Sequence, residues 1–454
     1  MVKYLYLTCW IFRLFVALPS QGQLPKSSAF QSMTYEAEVN YYQTLLKNYV
    51  ELLWLTLEGV HTTQENQGIV SEGSPSVILF KKYCPEFDRT VATMRSFQIF
   101  FRGEYLDYLH LTQKQDPHDR LTYKTFREIQ RYFSTVFEKC GLSADQEIDN
   151  LINCFILFCD VGKTRQARVM ARAAGIDESN HDLFFSKVAK KNPDLLPSFK
   201  SLSPKLKQIL ISAAEEINFG HIAHLESGSE LFVKLNDSRF LQDQNLFDLA
   251  FIAHMCDVAG SLGHVDPSSS LNYTQSTHQQ LMDVKQACLS IQRVGPIKAW
   301  ELFIQKRSKE LGLDATGKIN QVLLRLSSMM RFTTPSSAKS LKKALFKLPQ
   351  DKLEKVLDAF SWDNYTQTRY MPAVILNLLR HPHLGDSFET RLEQTVDLGV
   401  VYLADMLQQQ KNNQRPLINF NPVAKEVKED PFSLVGAKSM VNEKGVVQLI
   451  HSKR

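Results

Sequence analysis

From Tyr35 onward the apolar positions Val39, Tyr42, Leu46, Tyr49, Leu53 and Leu57 recur at intervals of three and four. That spacing puts them on one face of an α-helix. Residues 58–76 break into Gly, Ser, Gln and Asn and predict a loop. Residues 77–112 mix aromatic and polar positions without a clean stripe and read as helices. Phe126, Ile129, Tyr132, Phe133 and Phe137 mark an amphipathic helix over 121–140. Ser143 opens another over 144–159, with Asp145 in its first turn, where negative charge suits the helix dipole. Pro204 starts a helix reaching about Phe219. Pro296 sits in the first turn of a helix over 296–311, where its missing N–H matters little, and Gly312 ends it. Asp386 to Glu389 reads as a capping box for a helix with Phe388, Leu392, Val396, Leu403 and Met406 on its apolar positions. No alternating strand pattern and no repeat of fixed period emerges. The predicted fold class is all-α, a large bundle of roughly fifteen helices. Residues 34–411 form its body. From about Asn412 the periodicity stops, so 412–454 is expected to be an extended or disordered basic arm.

Composition mainly excludes. At 454 residues, with 44% hydrophobic and 22% charged positions, the chain can bury a large core and is neither fibrous nor wholly disordered. Net charge is +5, from 53 basic and 48 acidic residues, and it gathers at the ends. Residues 412–454 carry Arg415, Lys425, Lys428, Lys438, Lys444, Lys453 and Arg454 against Glu426, Glu429, Asp430 and Glu443. Residues 1–35 hold Lys3, Arg13 and Lys26 and no acid. The body is therefore near neutral and no nucleic-acid interface is expected, while the basic arm is a place for a protein partner. Residues 1–33 leave three readings open: a secretory signal interrupted by Arg13, an Arg-poor transit peptide, or an over-extended start with translation beginning at Met33. No run reaches 18 uninterrupted apolar residues, so no transmembrane helix is expected. The seven cysteines are odd in number and scattered, which points to the cytoplasm or another reducing compartment rather than to a disulfide framework.

The most informative stretch runs from Ile152 through Cys159-Asp160-Val161-Gly162-Lys163-Thr164. It is not a phosphate-binding Walker loop, because Leu157 stands where that loop needs Gly and the lead-in is helical. It resembles the His-Asp-x-Gly-Lys core of the HD-domain superfamily, helical metal-dependent phosphohydrolases with some oxygenase relatives. The resemblance spans about residues 110–265, with a helical C-terminal part over 266–411. It implies one or two divalent metals (Mn, Fe, Mg or Zn) held by ligands from several helices, with open positions for water. The ligands it implies are Asp160, His181, Asp182, His221, His224, His254 and the closing Asp257. Lys163 and Arg369 would hold the phosphate of a small phosphorylated substrate. Glu226 and His264 lie in the same stretch, and six of the twelve histidines fall between 181 and 278. The family's His is Cys159 here, and its upstream His has only His110 and His118 as candidates. His181-Asp182 is a second His-Asp pair that would leave Cys159-Asp160 structural.

Ordinary roles compete with each of these. Cys154, Cys159 and Cys256 suit a core as small residues, and Lys163 suits a helix C-terminus. The expected function is an HD-like metal-binding hydrolase of a phosphoester. The alternatives are a non-enzymatic helical scaffold and a metal-dependent oxygenase on the same core. Residues 338–348 form a basic amphipathic helix after Pro335, which suits an anionic membrane or an acidic partner as well as a solvated face. Residues 362–372 form a polar, aromatic loop that carries Arg369. The chain has no serine nucleophile elbow, zinc-ribbon cysteine pairs or Gly-rich dinucleotide turn.

Overall fold

Pro85 at a first-turn position, Glu86 and Asp88 behind it and Gly103 in the left-handed conformation (φ +77°) bound an 18-residue helix at the centre of the first half of the chain. In this computed structural model the described residues are 35–57, 60–61, 73–178, 181–213, 219–226, 228–263, 271–362, 367–411, 417–443 and 445–450. The expectations for 1–33 and for His264 lie outside them. The architecture is all-α, with only short two-stranded pairings. The chain divides into two units. One holds the described residues up to 213 together with 243–278; the other holds 219–242 and the residues from Gln279 on.

The labelled helices of the first unit are α1 (Tyr35–Asn48), α2 (Pro85–Arg102), α3 (Tyr123–Lys139), α4 (Asp145–Val161), α5 (His181–Lys191) and α6 (Gln244–Gly260). Helices α3, α4 and α6 pack around α2. Of α2, every residue from Phe87 to Phe100 is buried except Arg89. A helix enclosed on all sides shows no single apolar stripe, which is why 77–112 gave no clean periodicity. Its apolar positions join a ring cluster: Phe97 meets Phe133 and Phe137, and Phe100 meets Phe126 and Tyr273, at centroid distances of 5.4–6.3 Å. Several of its polar positions find a partner across the packing. The Asp88 carboxylate accepts from Ser76 N and Ser76 Oγ at 2.7 Å each, Tyr41 donates to Gln98 at 3.1 Å and Ser96 to the carbonyl of Cys256 at 3.2 Å. Helix α4 begins at Asp145 with Ala144 ahead of it, and no side chain caps it, so Ser143 is not its cap.

The crossing of α6 over α2 depends on small residues. A Cβ added at Gly260 would lie 2.4 Å from Thr93 N, and one at Gly263 would lie 2.3 Å from Ala92 Cβ. Backbone on one side and packed core on the other leave nothing free to move.

In the second unit the labelled helices are α7 (Lys318–Met329), α8 (Pro335–Phe346), α9 (Met371–Arg380), α10 (Phe388–Gln394) and α11 (Asn421–Glu429). One reading is corrected here. The helix predicted from Asp386 is capped by Ser387, whose Oγ accepts from Thr390 N at 3.0 Å, and it is interrupted by a π-helical stretch over Thr395–Val400 before Val401–Lys411. The described part of 412–454 holds a helix and short strands. There Ile418–Asn419 pairs in parallel with Thr368–Arg369, α11 buries Val423, Ala424 and Val427 against α9, and Lys438–Val441 pairs with Val447–Ile450. Residues 219–242, within the stretch 110–265, belong to the second unit. Amphipathic spacing reports that a face is covered, not by which neighbour.

Gly260→Ala is expected to lower the unfolding midpoint of the chain, with a loss of about 1–3 kcal/mol for forced overpacking, measured by urea denaturation followed by circular dichroism.

Candidate functional site

Asp160 sits in the last turn of α4 with its side chain only 4% exposed, facing α2. Thr90 of α2 donates to its Oδ2 at 2.9 Å, and Lys163, one turn on, reaches its Oδ1 at 2.5 Å. Lys163 also meets Glu86 of α2 at 3.1 Å. Arg89, on the same helix, pairs with Asp257 of α6 at 2.6 Å. Three carboxylates and two cations thus form one cluster joining α2, α4 and α6.

Electrostatics lock it. Burial alone would raise the Asp160 carboxyl. The charges of Lys163 and Arg89 and the hydrogen bonds from Lys163 and Thr90 overcome that and hold it well below the usual carboxylate range. Asp257 raises the Arg89 guanidinium above its ordinary value, with Asp160 and Glu86 adding to the effect. Burial and Arg89 oppose the charge on Lys163, and the Asp160 and Glu86 carboxylates together more than restore it.

The sequence placed Asp160, Lys163 and Asp257 in a site, and all three are here. It missed Glu86, Arg89 and Thr90. Their i, i+3, i+4 spacing puts them on one helix face, but 77–112 offered no pattern to single that face out. Neither His110 nor His118, the upstream candidates, belongs to the cluster's pairs. His110 is half-buried beside Gln113, and His118 is exposed. Cys159 is exposed while Asp160 is buried, so the two do not face the same way. His254 is half-buried on α6. His181 and Asp182 open α5, and their side chains lie outside the described residues. Among the described residues no group of three or more His, Cys, Asp or Glu side chains is arranged to hold a metal ion. No disulfide joins the described cysteines, and no described helix is long and apolar enough to cross a membrane.

The other expected residues are in the second unit. His221 lies in the short helix Phe219–Ala223, and His224 follows it half-buried. The turn after that helix is closed by Leu225 N to Ile222 O and Glu226 N to His221 O, both at 3.1 Å, with Leu225 left-handed at φ +50°. Glu226 is buried, its Oε2 3.6 Å from His221 Nε2. Its Oε1 accepts from Met371 N at 2.9 Å, satisfying an otherwise orphaned donor at the start of α9, where Tyr370 is left-handed at φ +71°. Arg325 donates to the carbonyls of Leu225 and Glu226. Arg369 stands on the strand just before, where its charge reaches Glu226. Burial pushes the Glu226 carboxyl up to about 8, against the Met371 N–H and the charges of Arg325 and Arg369.

Two tests follow. Asp160→Asn is expected to destabilise the chain at pH 7 by an amount near the low end of the roughly 3–5 kcal/mol typical of breaking a buried pair, because Lys163 is 23% exposed. Since the folded carboxyl titrates below its unfolded value, its contribution is present above about pH 4 and lost on acidification. Thermal melts of the two proteins should therefore converge as pH falls below that. Glu226 has the opposite sign. Its folded carboxyl titrates at about 8, above the unfolded value of 4.5, so its contribution fades as pH rises through 8. Glu226→Gln, which keeps the acceptor for Met371 N, should match the parent at low pH and exceed it at pH 9.

A family model described as Family of unknown function (DUF6829) matches residues 50–446. No curated protein and no solved structure matches the chain.

Proposed function

The chain belongs to the DUF6829 family of unknown function, and from the charge cluster we propose that it is a non-enzymatic helical interaction protein on an HD-like core. In this reading ion pairs stand where the resemblance implies metal ligands. The observation that carries it is the pairing of Asp160 with Lys163 and of Asp257 with Arg89. A divalent ion drawing on these carboxylates would have to break both pairs. It would also leave two cations beside itself in a partly buried site, where like charges repel strongly. The residues present therefore do not fit a metal centre, and no reaction step is derived through one.

A second reading, the phosphoester hydrolase using Mn, Fe, Mg or Zn, has one observation in its favour. Asp160 and Asp257 both contact α2, at Thr90 and Arg89, and they are the first and closing carboxylates of the resemblance. In that reading Lys163, partly exposed, is a phosphate ligand. The oxygenase alternative shares the same metal requirement.

Metal analysis of the purified full chain, with thermal melts in added Mn, Fe, Mg and Zn, separates these. The expected result is no stoichiometric metal and an unmoved midpoint. About one ion per chain, lost on Asp257→Asn, would overturn the scaffold reading in favour of the metal-dependent ones.

A further inference from the structure

Helix α8 buries Ala338, Leu341, Ala344 and Leu345 against its own unit, where it packs on α7 and α10. Thr334 caps it, accepting from Ser337 N at 3.3 Å. The opposite face is Lys339, Lys342, Lys343, Phe346 and Lys347, all exposed. Their steps of three, four, seven and eight residues align them in one stripe along the helix. No acidic residue lies on α8. Lys347 is paired with Glu393 of α10 at 2.5 Å. Lys339, Lys342 and Lys343 have no ion pair among the described residues, although Lys352 and Lys355, further along the chain, do. Phe346, 56% exposed, stands within the stripe with Lys342 Nζ 5.9 Å from its ring centroid.

We propose that this stripe binds an anionic membrane surface, with the lysines meeting lipid phosphates and carboxylates and Phe346 entering the headgroup boundary. Charge complementarity favours it: three uncompensated cations lie in line on a face that carries no acid. The shape selects a bilayer over an acidic peptide. The stripe is the exposed face of a helix packed along its other side, with its aromatic ring 56% exposed. A peptide gains affinity by filling a groove, whereas a bilayer receives a projecting ring and brings mobile anions to every lysine. The proposal is independent of how the charge cluster is read, because α8 lies in the other unit.

The test is co-sedimentation of the full chain with phosphatidylcholine vesicles and with vesicles carrying about one-third phosphatidylserine. The chain should pellet with the second only, and release as salt rises to roughly 0.5 M. Near an anionic leaflet each lysine is worth roughly fivefold in partitioning, so replacing Lys339, Lys342 and Lys343 by Gln should weaken it about a hundredfold. Phe346→Ser should weaken it at unchanged charge. Both variants alter exposed positions, and unchanged melting curves would show that they fold; Lys339→Ala with Lys343→Ala serves should the triple variant not. Failure of the parent to pellet with phosphatidylserine, or equal binding by the lysine variant, would overturn the proposal. So would capture of a polyglutamate peptide without vesicle binding, which would assign the stripe to an acidic protein.

Discussion

A helix covered on every side cannot leave a charged or hydrogen-bonding group to water, and α2 is such a helix. Burying an unpaired polar group costs on the order of 1–3 kcal/mol, and an unpaired charge more. Most of the paired polar residues of α2 therefore dictate a residue elsewhere. Asp88 requires the Ser76 hydroxyl and amide, Gln98 the Tyr41 hydroxyl, and Arg102 the Asp149 carboxylate at 3.1 Å. Glu86, Arg89 and Thr90 require the ends of α4 and α6. The first unit is arranged around meeting these demands at once. The close approach at Gly260 and Gly263 is what lets α6 come near enough to do so.

The charge cluster is the sharpest product of that constraint. Ion pairs of this kind contribute little net stability relative to apolar packing, but breaking one is expensive. They act as registration marks: Asp160, Asp257 and their two cations fix how far α4 and α6 slide along α2. In the second unit Glu226 does comparable work by a different route. It ends one helix, starts another and lies beside the buried Arg325.

Much of this was legible in the sequence, and the remainder has physical causes. Helices with one covered face announced themselves, as Phe126, Ile129, Phe133 and Phe137 did for α3. Asp160, Lys163 and Asp257 were also visible, because each stands at the end of an apolar run. Their partners on α2 were not, since a helix without a solvent face has no period to read. Nor could spacing reveal that His221 and Arg369 share the second unit while Asp160 and Asp257 belong to the first. The C-terminal segment misled for another reason. Its helix is short, and the strand Ile418–Asn419 takes its pairing from Thr368–Arg369, far upstream, so local composition resembled a tail.

The chain's excursion over 219–242 has a consequence for how the protein is made. Helix α2 is complete once Arg102 is synthesised, yet the helix that closes over it ends only at Gly260. At ordinary translation rates that interval is roughly ten to thirty seconds. Throughout it, the face of α2 that α6 will cover remains on the nascent chain with nothing to bury it. The first unit cannot finish folding until part of the second has already left the ribosome. Closing that face thus rests on a contact between segments far apart in the chain, the kind whose loop-closure entropy must be met before the contact rewards it.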